Sequence, residues 1–238
     1  MGPFVADVDR NDLLDLLIPD MGYSSLLFQV KRGLFMDVTA QSGVALLCGQ
    51  YTGWGGLLND YDNDGYVDLF IANGDPHHLY VEESVLARWD GRSRFLDMAR
   101  QSGDFFNHKH VGRGAAFADF DNDGDIDILM HVLDDTPRLL RNDGGNRGNW
   151  LKVVPLHKDT AMVALGSTVT VKAGAMTMIQ PVLGVNGYLT SSDPRPHFGL
   201  GKADRVDSVE IVWPDGKKQA LDNVRANQIL SVRQDQAR

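Results

Sequence analysis

Cysteine is nearly absent from this sequence. Cys48 is the single one in 238 residues, which excludes an intrachain disulfide. Its neighbours Leu46 and Leu47 predict a buried thiol, not a reactive one. Long apolar runs are lacking too. None approaches the roughly 20 residues that cross a bilayer, so no membrane span is expected. No basic segment followed by an apolar one opens the chain, so no signal peptide is visible. Clusters of lysine and arginine are missing, and the net charge is −9. That balance argues against a nucleic-acid partner, whose phosphates demand dense positive charge. The remaining composition, 43% apolar and 23% charged, is that of an ordinary globular chain. Its length allows one or two domains with real cores.

The acidic residues, by contrast, are concentrated. Asp119, Asp121, Asp123 and Asp127 stand at offsets 0, 2, 4 and 8 of one stretch, with Gly124 at offset 5. Asp60, Asp62, Asp64, Gly65 and Asp68 repeat those offsets. Asp7, Asp9, Asn11 and Asp15 form a degenerate copy, with Asp12 in the glycine place and Arg10 inside the loop. So many carboxylates in nine residues repel one another unless a cation sits among them. Ca2+ takes roughly 6–8 oxygen ligands, which carboxylates, carbonyls and water supply. Offsets 0, 2, 4 and 8 are expected to bind through side chains. Offset 6 is expected to bind through its carbonyl, since its side chain varies: Leu13, Tyr66 and Asp125. Two copies match the pattern in full and the first departs from it. An EF-hand is excluded, because its position 12 needs a bidentate Glu. Here that position is Ile18, Ile71 or Met130.

Apolar stretches flank each loop. Phe4-Val5-Ala6, Leu57-Leu58 and Ala115-Ala116-Phe117-Ala118 precede them; Leu16-Leu17-Ile18, Leu69-Phe70-Ile71 and Ile128-Leu129-Met130 follow. Continuous apolar runs of this length read as buried strands. Leu26-Leu27-Phe28 and His78-Leu79-Tyr80-Val81 are candidate third strands. Asp37 and Asp97 read as caps of short helical turns, with Gly43 and Gly103 as stops. About four strands at this period make one blade of a β-propeller. The stretches GWGGLLNDYDNDGYVDLFIANG and GRGAAFADFDNDGDIDILM resemble FG-GAP/VCBS repeats, the blade type of integrin α chains. The resemblance covers residues 1–145 and implies structural Ca2+ in the DxDxDG loops. Propellers close with typically 4–8 blades. The two to three blades expected here form a partial propeller. The chain is therefore expected to be a fragment of a longer protein, or to self-associate through the open edge.

From residue 146 the acidic loops stop and short strands take over. Gly166 to Lys172, Met176 to Val182, Val206 to Trp213, Lys217 to Leu221 and Ile229 to Val232 are expected strands of a small all-β domain. Asn149-Trp150-Leu151-Lys152-Val153, Gly187-Tyr188-Leu189, His197-Phe198-Gly199-Leu200-Gly201 and Trp213-Pro214-Asp215-Gly216 come in order. That series resembles the ASPIC/UnbV domain, which follows FG-GAP-like repeats in the cartilage acidic protein family. The resemblance implies a Ca2+-binding, secreted, periplasmic or cell-surface module with an adhesive role. Its partner would be a protein or a carbohydrate, met through surface aromatics such as Trp89 or Tyr188.

An enzyme is the rival class. A Ca2+-dependent lyase, cyclase or hydrolase would need a site on the propeller face, for instance His108 and His110 near His77. No HExxH or Cys/His zinc spacing supports it. Ser191-Ser192-Asp193 with His197 lacks a nucleophile elbow, and His197 reads as a structural hydrogen-bonding histidine. Gly53-Trp54-Gly55-Gly56 lacks the Walker lysine. No catalytic residue and no organic cofactor site is named.

Overall fold

The computed structural model describes residues 2–77 and 79–234. Each acidic loop turns a β-hairpin. Phe4–Ala6 (β1) and Asp15–Ile18 (β2) flank the first, and Ser25–Lys31 (β3) and Leu34–Asp37 (β4) complete a sheet in the order β1-β2-β3-β4. After a short helix, Val44–Cys48 (α1), come Gly53–Asn59 (β5), Asp68–Asn73 (β6), Val85–Trp89 (β7) and Phe95–Asp97 (β8), again a meander in order. Gly112–Ala118 (β9), Asp127–Val132 (β10) and Arg138–Leu140 (β11) form a third, three-stranded sheet. These are the blades of a partial propeller.

The sequence of β6 explains how the blades stack. Asp-Leu-Phe-Ile-Ala-Asn is buried at every position, because it has a neighbour on each face. Leu69 and Ile71 pack with Leu17 and Leu26 of the first blade. Phe70 and Ala72 pack with Phe117 and Met130 of the third. Each of the larger side chains among them contributes about 1.5–3 kcal/mol on burial. The end blades lack this second neighbour. Ile18 and Phe35 stay exposed on the first, and Leu129 and Leu139 on the third.

Asn149–Leu156 (β12) begins the second unit. Thr168–Ala173 (β13), Met176–Pro181 (β14), His197–Gly201 (β15), Arg205–Val212 (β16), Lys218–Arg225 (β17) and Gln228–Arg233 (β18) follow. The sheets β15-β12-β18 and β14-β13-β16-β17 enclose one core. Val209, Ile211 and Trp213 all point into it. The segment after β14 leaves this unit and runs along the propeller's innermost strands. Asp193 N donates to Phe117 O at 2.9 Å, and Phe117 N to Ser192 Oγ at 3.2 Å. Tyr188 meets the Trp54 ring edge-on.

Two expectations are corrected, the third strand of the second blade and the exposure of Trp89. The third strand of the second blade is β7, not residues 78–81. Leu79 and Tyr80 are exposed there, and His78 lies outside the described residues. Asp37 and Asp97 do cap turns, accepting from Thr39 N and Ala99 N. Gly43 and Gly103 close those turns as expected, and their φ of 81° and 110° also leads the chain into Val44–Cys48 and Asp104–Asn107. Trp89 is a core residue against Phe95 and Phe28, so it offers no surface.

Candidate metal centres

The three loops share one backbone. Offset 5 has a left-handed φ in each: 65° at Asp12, 90° at Gly65 and 101° at Gly124. Offset 3 does as well, at Arg10, Asn63 and Asn122, with φ of 58–59°. Glycine and asparagine reach this region more readily than most residues. The degenerate first loop therefore keeps the geometry of the other two.

That geometry gathers carboxylates. Asp7, Asp9 and Asp15 bring ligand oxygens within 4.8 Å of one another, and so do Asp60, Asp62 and Asp68, and Asp119, Asp121 and Asp127. Oxygens bound at about 2.3–2.6 Å to one ion lie no further apart than about 5 Å. Offsets 0, 2 and 8 thus converge. The offset-8 carboxylate is also the fastener of each blade. Asp15 accepts from Val8 N and Gln29 N, Asp68 from Tyr61 N and Trp89 N, and Asp127 from Phe120 N and Asn142 N. In each case it joins the loop to the third strand or to the residues just after it. Offset 4 behaves differently. Asn11, Asp64 and Asp123 accept from the backbone N–H of Leu13, Tyr66 and Asp125. Asp64 and Asp123 lie outside the converging groups.

The clusters are costly without a cation. Burial, with the neighbouring carboxylates adding to it, pushes Asp7 up to about 6 and Asp15 up to about 7. Burial likewise holds Asp60 and Asp68 well above the usual carboxylate range, again with their like-charged neighbours. In the third loop Asp119 Oδ1 is buried with no hydrogen-bond partner. An all-oxygen donor set with such an orphaned acceptor fits a hard cation. The residues present therefore fit Ca2+.

Three residues at these loops carried no sign in the loop pattern. Lys152 of β12 is fully buried, with Nζ 2.7 Å from Asp119 Oδ2 and 4.0 Å from Asp193 Oδ2. Its signal was a lone cation inside the apolar run Trp150-Leu151-Lys152-Val153-Val154, since a buried ammonium needs a buried anion. Arg10 of the first loop reaches the second, donating to Gly65 O and lying 3.5 Å over the Tyr66 ring. Asn63 Nδ2 donates to Gly124 O at 2.7 Å and Gly145 O at 3.0 Å. Its Oδ1 meets His197 Nε2 at 2.7 Å. With Nδ2 committed to two carbonyls, Oδ1 must accept, so His197 carries its proton on Nε2. Burial, then the Lys152 charge, lower His197 to about 3 and keep it neutral.

The second unit sits directly on these loops. A Cβ at Gly199 would overlap Asp60 Oδ2 and the Asn63 backbone, and one at Gly124 would overlap the Trp150 indole. The Asn-Trp-Leu-Lys and His-Phe-Gly-Leu-Gly stretches are thus the docking strands β12 and β15. A cleft of about 90 Å3 remains between the units, bordered by Asp60, Arg195 and Gln180.

The other sequence candidates do not assemble. Ser192 Oγ accepts from Phe117 N, Ser191 Oγ donates to Gly184 O, and His197 faces Asn63. Among the described residues no histidine joins a potential metal cluster. His108 makes an exposed contact with Asp104, while His110 stacks on Phe105. His108→Ala is expected to change unfolding free energy by no more than about 0.5 kcal/mol, read from urea titration. A loss beyond about 2 kcal/mol would show that His108 holds something the fold needs.

Comparison with known sequences agrees with this architecture. Residues 60–130 match the FG-GAP-like repeat and residues 158–238 match ASPIC and UnbV. The chain is 29% identical to cartilage acidic protein 1 of Homo sapiens, over 97% of this chain and 43% of that protein. It is 28% identical to the Xenopus tropicalis protein of the same name, over 91% of this chain and 42% of that one. The chain thus spans less than half the length of these relatives. No helix among the described residues is long and apolar enough to cross a membrane. The blades thus carry an FG-GAP-like repeat match and the second β-unit an ASPIC and UnbV match, and the chain is homologous to cartilage acidic protein 1.

Proposed function

We propose that the chain is a calcium-stabilised extracellular interaction module, with residues 1–145 as blades and 146–238 as the docked second unit. The observation that carries this reading is the convergence of offsets 0, 2 and 8 in three successive loops. Asp60, Asp62 and Asp68 would hold one ion, Asp119, Asp121 and Asp127 a second, and Asp7, Asp9 and Asp15 a third. Asn11, Asp64 and Asp123, with the carbonyls of Leu13, Tyr66 and Asp125, would complete the shells. A bound ion supplies the charge that lets these carboxylates lie together ionised. The offset-8 residues then fix the hairpin to the third strand. The work is structural: rigid blades present a face to a protein or carbohydrate partner. The end blades, with Ile18 and Phe35 on one side and Leu129 and Leu139 on the other, are where self-association is expected. The identity with cartilage acidic protein 1 supports the extracellular setting, where millimolar Ca2+ suits weak sites.

The test counts ions. Asp62→Ala and Asp121→Ala should each remove one bound calcium per chain. Each site, at about 100 times its Kd, adds roughly 2.7 kcal/mol. In a chain of this size that is a melting shift of roughly 5–10 °C per site. Unchanged stoichiometry in both variants would sink the assignment of these loops.

A further inference from the structure

We propose that Asn63 is a latch that makes calcium occupancy of the second loop and docking of the C-terminal unit a single equilibrium. This rests on the calcium reading above and goes beyond it. A structural ion explains a stiff blade. It does not by itself explain why the second unit is built onto the loops.

The contacts supply the reason. Asn63 stands at offset 3, between the carboxylates of Asp62 and Asp64, in the left-handed region. Every polar atom of its side chain is used, and none within its own blade. Nδ2 holds Gly124 of the third loop and Gly145 at the junction between units. Oδ1 holds His197, and its backbone oxygen accepts from Gly201 N at 2.8 Å. Both ends of β15 are therefore pinned by one residue of the ion loop. Between them Gly199 lies against Asp60 with no room for a side chain.

These contacts require one backbone conformation at Asn63. The loop carboxylates set that conformation, and in their ionised form they are stable together only with a cation among them. The Asp60 carboxylate illustrates the dependence: it accepts from Gly65 N at 2.7 Å and Asp64 N at 3.2 Å, folding the loop around Asn63. Loss of the ion leaves Asp60, Asp62, Asp64 and Asp68 repelling one another beneath β15. The loop then opens, Asn63 leaves the left-handed region, and its bonds to β15 break together. By reciprocity, a docked C-terminal unit raises calcium affinity at this loop.

Hydrogen–deuterium exchange on the whole chain, with bound calcium counted on the same sample, tests this. With excess EDTA, peptides over 149–152 and 197–201 should exchange at least roughly tenfold faster than with calcium, while β13 and β16 keep their protection. Asn63→Gly tolerates the positive φ and leaves every carboxylate in place. It should bind calcium, yet show fast exchange at 197–201 even when loaded. His197→Ala, which leaves the loop untouched, should do the same at 197–201 and keep β6 protected. It serves as the decisive variant if Asn63→Gly loses β6. Wild-type chain that binds calcium but exchanges equally at β15 with and without it overturns the latch and leaves the calcium reading standing. Full protection of β15 in both loaded variants also overturns it. A wild-type chain with no bound calcium overturns both.

Discussion

Stripped of calcium, the chain should melt at a higher temperature at pH 5.5 than at pH 8, the reverse of its loaded form. The folded, metal-free loops hold Asp7 at about 6 and Asp15 at about 7, and Asp60 and Asp68 well above their usual range. Unfolded carboxylates titrate near 3.9. A group raised in the folded state gives stability that is fully present below its unfolded value. That stability is lost as pH rises through the folded value. The loss therefore falls between about pH 4 and 7 for Asp7 and Asp15, and continues for the buried Asp60 and Asp68. With calcium bound the sign inverts, because the ion binds the ionised form and protonation displaces it. Melting curves from pH 5 to 8, with EDTA and with calcium, read both slopes. A difference of about 4 °C corresponds to roughly 1–2 kcal/mol in a chain of this size. A metal-free melting temperature that climbs with pH would show that the loops are not strained by their own charge.

The loop fold was legible because its constraint is local. Offset 5 must turn sharply, and Gly65 and Gly124 announce it; Asp12 is a residue that enters the same region. Offset 3 is harder to read: Asn63 and Asn122 favour that φ, but Arg10 breaks the pattern in the first loop. Strands β6 and β10 were visible as apolar runs. The third strand of the second blade was misplaced, because Leu79-Tyr80-Val81 has strand composition yet lies on an exposed connection. Composition does not record which of two neighbouring runs finds a hydrogen-bonding edge. The coming together of offsets 0, 2 and 8 follows from spacing along one hairpin. The partners of Asn63 and Lys152 lie far along the chain, so no window of sequence contains them. The motifs that mark the second unit were recognisable long before their role was. Only their position against Asp60 and Gly124 shows that Asn-Trp-Leu-Lys and His-Phe-Gly-Leu-Gly are docking strands.

Lys152 carries the largest expected effect of a single substitution. Its ammonium is enclosed between Asp119 and Asp193, at 2.7 and 4.0 Å, with no solvent exposure. Removing one partner of a buried ion pair costs about 3–5 kcal/mol, mostly because the other charge stays behind unpaired. Lys152→Met keeps the aliphatic length of the side chain and isolates the charge. In EDTA it should lower unfolding free energy by about that amount. With saturating calcium the loss should be less than half as large, because an ion at Asp119, Asp121 and Asp127 replaces the missing positive charge. The double variant Lys152→Met, Asp119→Asn separates charge from packing. It removes both partners, so in EDTA it should recover most of the stability that the single variant loses. In calcium it should recover none, since it also removes a ligand. Urea unfolding of the four proteins in both conditions gives the coupling as a double-mutant cycle. Equal losses with and without calcium would mean that no ion shares Asp119 with Lys152. The third loop would then be neutralised by the lysine of its own second unit, and only the first two loops would remain as metal centres.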